Sequence, residues 1–304
     1  MKKNPLQIGR LAMALLTVVS VSLLASCSKS NDYNWWDEEE EEVKVKESVT
    51  VTVEQGDGSS STIPEGSTLG YFVISSDGTS SVSNDHVTVG EGGQTSFSTT
   101  AAGTYIVYSP YQEGWEDAMQ NPPVFQVQSN QSSEANYDAS DLMAGTMTVG
   151  SATRADNAGN LTMKHLLAKL YIRIIDDTGL IDFRTDGTLR LFDMRDAVSV
   201  YLTELRVETL PDSSSDIDML AYERTDRRMM AAAIVAPQTV GDERDLFVLN
   251  VGGQQLTYRQ KVALESGLGL ALVIRFTKDG LKLDGTYIIN WTASGSDIEI
   301  ETLE

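Results

Sequence analysis

Few side chains in this sequence are of the types that do covalent or metal chemistry. The 304 residues hold 2 histidines, His86 and His165, and 1 cysteine, Cys27. Zinc sites draw several His and Cys ligands from close spacings, and these three residues stand far apart in the chain. His165 sits in LTMKHLLAKL among apolar neighbours and reads as a structural histidine, whereas His86 sits in a polar stretch and reads as solvated. The glycine cluster GEGG, Gly90 to Gly93, has no Gly-Lys-Ser/Thr after it and no strand-to-helix setting. It reads as a loop and not as a phosphate cradle. Paired carboxylates would suit a glycosidase, but among 44 acidic residues no pair stands out. DDTGLID and DSSSDID are rich in Asp, yet they lack the alternating ligands and glycine of a calcium loop. Trp115 and Trp291 suit either a sugar platform or a core, and burial is the commoner fate of tryptophan in a sandwich. The expectation is no catalytic residue, no metal and no cofactor, hence not an enzyme.

One reactive residue is left, and its surroundings give it a use. Lys2, Lys3 and Arg10 precede an apolar run from Leu11 to Ala25. The run fits a secretory signal and is shorter than the ~20 residues that span a bilayer. It ends at Leu24-Ala25-Ser26-Cys27, which resembles a bacterial lipobox. That likeness implies a signal peptide over residues 1–26 and acyl chains such as palmitate on Cys27, with attachment to the outer membrane. A lipidated Cys27 needs no disulfide partner. Residues 27–46 then form a tether, with almost no aliphatic side chains and a self-repelling acidic run from Asp37 to Glu42. An acidic run at this place also resembles the surface-export signal of Bacteroidetes lipoproteins.

The net charge is −21, and loss of the three basic residues of the signal makes it −24. Such a chain repels nucleic acid and anionic lipid, so nucleic-acid binding is excluded as a function class. The remaining body carries strand signals. Val49, Val51 and Val53 alternate in ESVTVTV. Leu170, Ile172 and Ile174 share a face, as do Leu272 and Ile274. Asp-Gly pairs at 57–58, 77–78, 186–187, 279–280 and 284–285 predict tight turns. GDGSSST and SDGTSSVS predict loops, and YQEGWEDAMQ predicts at most one helical turn. Short strands with turns at this spacing predict an all-β protein of β-sandwiches. A stretch poor in large apolar residues, Val149 to Asn160, marks a boundary between a domain over 47–155 and another over 156–304.

Five separated segments resemble the fimbrillin-like family of Bacteroidetes, the subunits of type V pili and their lipoprotein anchors. They are GTYIVYSPYQ (103–112), DLMAGTM (141–147), LTMKHLLAKLYIRI (161–174), AAIVAPQTV (232–240) and a closing strand ending in Trp291. The resemblance covers roughly residues 45 to 300 and implies two tandem transthyretin-like Greek-key β-sandwich domains. It also implies a non-enzymatic role on the cell surface or fimbrium, with other pilus subunits as partners by β-strand exchange. In such exchange a protease removes the first strand after an arginine, and a neighbour's strand refills the groove. Here the first strand is Val49, Val51 and Val53 with their neighbours, and no arginine occurs between Cys27 and Arg154. A retained first strand implies a base anchor. A polymerising stalk or tip pilin, or a surface glycan-binding lipoprotein, is the alternative. The tail SGSDIEIETLE alternates Ile298 and Ile300 and is the candidate donor strand. The host or glycan ligand is unknown.

Overall fold

Apolar residues spaced two apart point to the same side of an extended chain, and here they line two cores. The computed structural model describes residues 48–54, 60–97, 102–149, 159–289 and 291. In chain order the strands are β1 (Ser48–Glu54), β2 (Ser60–Thr62), β3 (Thr68–Ile74), β4 (Ser80–Thr88), β5 (Gln94–Ser96), β6 (Gly103–Ser109), β7 (Val124–Gln126), β8 (Met143–Val149), β9 (Gly159–His165), β10 (Ala168–Asp176) and β11 (Thr188–Arg195). They continue as β12 (Ala197–Tyr201), β13 (Arg206–Thr209), β14 (Ser214–Asp218), β15 (Leu220–Arg224), β16 (Arg228–Val235), β17 (Gln238–Val240), β18 (Phe247–Val251), β19 (Gln254–Tyr258), β20 (Val262–Leu264), β21 (Gly269–Thr277) and β22 (Gly280–Ile289). A short helix, α1 (Glu134–Asp138), starts at Ser133, whose hydroxyl accepts from the Asn136 N–H.

The chain is all-β, and its strands stack as β-sandwiches. In the first, β1 lies between β9 on one side and β2 and β5 on the other. β9 runs parallel to β1 from Gly159 to Met163 and then pairs with β8 through Lys164 and His165. It thus passes from one layer to the other, where β8, β6, β3 and β4 follow in order. Val49, Val51, Val53, Tyr71, Val107, Leu161 and Met163 fill the space between the layers. In the second sandwich the sheet β15-β16-β10-β21-β22 faces β14-β11-β18-β19. Leu170, Ile172, Ile174, Leu272 and Ile274 from the one meet Leu191, Phe247 and Leu249 from the other in a shared core.

The two sandwiches are stitched together by residues 110–142, the connection between β6 and β8. β7 in this connection pairs with β12 of the second half, with Phe125 opposite Val198. Gln131 is fully buried; its Nε2 donates to the Ile234 carbonyl at 2.7 Å and its Oε1 accepts from the Ile234 N–H at 2.8 Å. Trp115, Phe125, Tyr137 and Leu142 enter the core of the second half. Trp115 is therefore a core residue, stacked on Tyr108 at 4.9 Å. The expected division at 155/156 falls outside the described residues. β9, which follows it, belongs to the first sandwich, and the connection that precedes it belongs to the second core.

Local turn chemistry follows the sequence at two of the four described Asp-Gly pairs, and Asp186-Gly187 is not a turn but the lead from a turn at 183–185 into β11. Asp77-Gly78 joins β3 to β4, with Gly78 at φ +82° and the Asp77 carboxylate accepting from the Thr79 N–H at 2.9 Å. Asp279-Gly280 joins β21 to β22. Asp57-Gly58 lies outside the described residues. Asp284-Gly285 differs: it lies inside β22, where the register against β21 shifts, so the pair makes a bulge and not a turn. The serine-rich stretches expected as loops contribute β2 and part of β4, polar edge strands with exposed side chains. His86 lies on β4 and not in a loop; its ring is largely exposed and packs against Tyr111 at 5.0 Å. GEGG forms a 3-10 turn over Glu91–Gly93.

Candidate functional site

Four polar or aromatic side chains from distant parts of the chain converge where the two sandwiches join. Asp141 follows α1 and precedes β8, His165 ends β9, Lys169 stands near the start of β10, and Trp291 follows β22. Each is placed by a nearby element that cannot easily move. Leu142, next to Asp141, is fully buried, and its carbonyl accepts from the Leu166 N–H at 2.9 Å. The parallel pairing of β10 with β21 sets Lys169 opposite Gly269. A β-carbon at 269 would approach Ile289 at 3.0 Å and the Tyr171 ring at 3.4 Å, so glycine lets β22 and its following Trp291 close over the lysine.

The carboxylate of Asp141 holds two of the partners. His165 Nδ1 lies 2.8 Å from one oxygen, and Trp291 Nε1 donates to the other at 3.2 Å. The two rings stack in turn, with centroids 4.1 Å apart and planes 16° from parallel. With Nδ1 donating to the carboxylate, His165 Nε2 is left as an acceptor. It is buried and has no hydrogen-bond partner among the described residues.

Lys169 is 3% exposed. Its Nζ lies 5.4 Å from the ring centre of Tyr137, 4.9 Å from that of Tyr171 and 5.4 Å from that of Trp291. Aromatic faces attract cations at such distances. Burial lowers its pKa from 10.5 to about 8, and the charges of Asp141 and Asp138 oppose the fall. A lysine tuned this way has the reactivity of a nucleophile, but its rings and its burial keep a substrate from reaching it. The arrangement is a tie between three chain segments, around Asp141, His165–Lys169 and Trp291, and carries no catalytic geometry. Among the described residues there is no group of three or more His, Cys, Asp or Glu able to hold a metal.

The lysine makes a testable prediction about pH. Between about pH 8 and 10.5 the unfolded chain keeps a proton on Lys169 that the folded chain has released. Stability therefore rises with pH across this window; the gain is complete above the unfolded pKa and is lost as pH falls through about 8. Tyr137, Tyr108, Tyr222 and Tyr258, whose pKa values burial raises, work in the opposite sense as pH nears their ordinary value of 10.0. The difference in urea stability between wild type and Lys169→Met should therefore grow in favour of wild type by about 2 kcal/mol between pH 8 and 10. A difference that stays constant with pH would remove Lys169 as its source.

The residues singled out from the sequence fall in three places. Val49, Val51 and Val53 lie on β1 with exposures of 3%, 0% and 4%. Cys27, Ile298 and Ile300 lie outside the described residues. His165 is structural, as its apolar setting suggests. The other members of the tie lie within or at the ends of the segments DLMAGTM, LTMKHLLAKLYIRI and the strand closing at Trp291. The signal was present in those segments, but nothing in the sequence says that they touch.

The fold has counterparts among known proteins. A family model described as Fimbrillin-like matches residues 48–291. No curated protein sequence matches the chain. A crystal structure from Bacteroides ovatus, described as a "putative cell adhesion protein", superposes with a TM-score of 0.64 at 14% identity, covering 82% of this chain and 98% of the other. A second, from Bacteroides uniformis and described in the same words, gives 0.59 at 19% identity, covering 81% and 98%. At these identities the two structures bear on the fold. The family match spans both sandwiches and the four-residue tie, and the chain belongs to the fimbrillin-like family.

Proposed function

We propose that this chain is a lipid-anchored cell-surface protein with a structural role in pilus assembly or adhesion, acting as the anchor at the base. Family membership supports the pilus or adhesive role. The lipobox-like segment ending at Cys27 supports an outer-membrane attachment. The observation that carries the anchor reading is the lack of any arginine between Cys27 and Arg154. An arginine-specific protease has nowhere to cut that would detach β1. Cutting after Arg154 does not free a domain either, because β9 lies between β1 and β8 and residues 110–142 are hydrogen-bonded into the second half. With β1 in its groove and joined covalently to the lipid, a second subunit's strand finds no free place, and growth stops here. Partners then join by strand addition at another site, where main-chain hydrogen bonds give affinity and alternate side chains fill pockets. The segment around Ile298 and Ile300 is the candidate donor strand.

Two measurements test this. Cys27→Ser should release the protein from the membrane fraction or leave it unprocessed; full membrane retention of the variant counts against the lipid anchor. The N-terminus of surface-extracted wild type should lie at or before β1. A mature chain that begins between Gly56 and Thr62 would make it a polymerising subunit instead.

A further inference from the structure

We propose that the outer face of the sheet β15-β16-β10-β21-β22 carries a binding site for the carboxylate of an acidic sugar, with Arg173 as its anion-binding group. Arg173 lies on the central strand β10, opposite Met230 of β16 and Val273 of β21. Both neighbours are 4% exposed, so apolar side chains flank the guanidinium on either side. One strand further out on each side stands a tyrosine. Tyr222 of β15 meets Tyr171 edge-on, with ring centres 6.3 Å apart. Tyr287 of β22 lies along its own strand over Gly285, where a β-carbon would sit 2.5 Å from the tyrosine hydroxyl.

Three arginines share this face, because Arg228 and Arg275 both pair in register with Ile175, two residues beyond Arg173. Two of them are neutralised. Arg228 Nε donates to Glu223 at 2.8 Å. Arg275 is paired with Asp177 and with Asp284, each at 3.1 Å. Arg173 has no ion pair among the described residues. Its Nε is buried without a hydrogen-bond partner, and so is the hydroxyl of Tyr222. The two groups are close enough to influence each other's ionisation. Arginine does not shed its proton, and a buried donor left unmatched is costly. A half-buried guanidinium with an unmatched donor, beside the Arg228–Glu223 pair whose arginine acts on it more strongly than the carboxylate does, is a receptor for an anion.

The chemistry of the surroundings narrows the anion. A guanidinium fork fits a carboxylate in two parallel hydrogen bonds. The chain as a whole carries −21, so it repels acidic peptides and nucleic acids that bring runs of charge. A sugar ring bearing one carboxylate avoids that repulsion and presents its C–H faces to the partly exposed Tyr222 and Tyr287. The site does not depend on where the chain stands in a pilus, so its failure would leave the anchor reading untouched.

The test titrates detergent-solubilised full-length protein with methyl β-glucuronide, with methyl β-glucoside as the neutral control, by saturation-transfer NMR. The glucuronide should bind at least about tenfold more tightly than the glucoside. Arg173→Gln should remove that preference, and it should raise the thermal midpoint because an unpaired cation is gone. Arg173→Lys keeps the charge and the aliphatic stem. It should fold as wild type and still lose about tenfold in affinity, because a lysine has no fork. The proposal is overturned by equal binding of the two glycosides, by a preference that survives both substitutions, or by an N-acetyl glutamate amide that binds as tightly as the glucuronide.

Discussion

An Asp141→Ala variant should lose about 3–5 kcal/mol of unfolding free energy. The carboxylate takes the Nδ1 of His165 and the Nε1 of Trp291, one on each oxygen. His165 is 6% exposed and Trp291 2%, so water cannot replace the lost acceptor at either ring without opening the junction. Each orphaned donor costs about 1–3 kcal/mol. Lys169, whose charged form Asp141 favours, loses that support as well. Asp141→Asn should lose less, because an amide keeps one acceptor oxygen but turns its NH2 towards a second donor. The check is a double-mutant cycle in urea. Asp141→Ala should cost markedly less in a Trp291→Phe background, where one of the two donors is already absent. A cost below about 1 kcal/mol, or a cost unchanged in that background, would mean that the contact is not a structural tie.

How far these features were legible in the sequence depends on what each one rests on. The cores of the strands follow from local alternation, which is why Leu170, Ile172 and Ile174, like Leu272 and Ile274, lie in the core. Alternation fails as a guide where a strand is covered on both faces. Ala168 to Ile172 are all buried, so the lysine among them looks like a solvent-facing residue until the cover is known. That cover is α1 and its flanking connection, which supplies Tyr137 to the lysine's surroundings. The bulge at Asp284-Gly285 was equally hidden, because a turn and a bulge both use a glycine and differ only in the partner strand. The tie itself depends on contact between residues 150 positions apart, Asp141 and Trp291. Each stood in a segment with a recognisable pattern. Their meeting follows from the pairing of β8 with β9, which sets Met143 opposite His165, and from the pairings of β10 with β21 and of β21 with β22, which set Lys169 and Ile289 on either side of Gly269; no local pattern encodes these.

Removing the first strand should be the most damaging change to the N-terminal sandwich and should separate the two halves in stability. A chain shortened to begin at Gln55 loses Val49, Val51 and Val53, which are at most 4% exposed. The apolar burial lost is offset by the ordering of seven residues no longer required, so the damage comes from what is left behind: β9, β2 and β5 lose their ladder partner and the core keeps a cavity. The pairing of β1 with β9 leaves Leu161 and Met163 facing an empty place once β1 is gone. The second core is built from other sheets and should persist, so unfolding should change from one transition to two. Amide exchange should quicken first at β9, β2 and β5. A peptide of the β1 sequence, SVTVTVE, should restore protection when added to the shortened chain. The same peptide should not bind the full-length protein, whose groove is occupied. If the shortened chain unfolds at the same urea concentration as the intact one, β1 is dispensable and its retention has no power to block a neighbour's strand. If the peptide binds both chains equally, it uses another edge, and the physical basis of the anchor reading is lost.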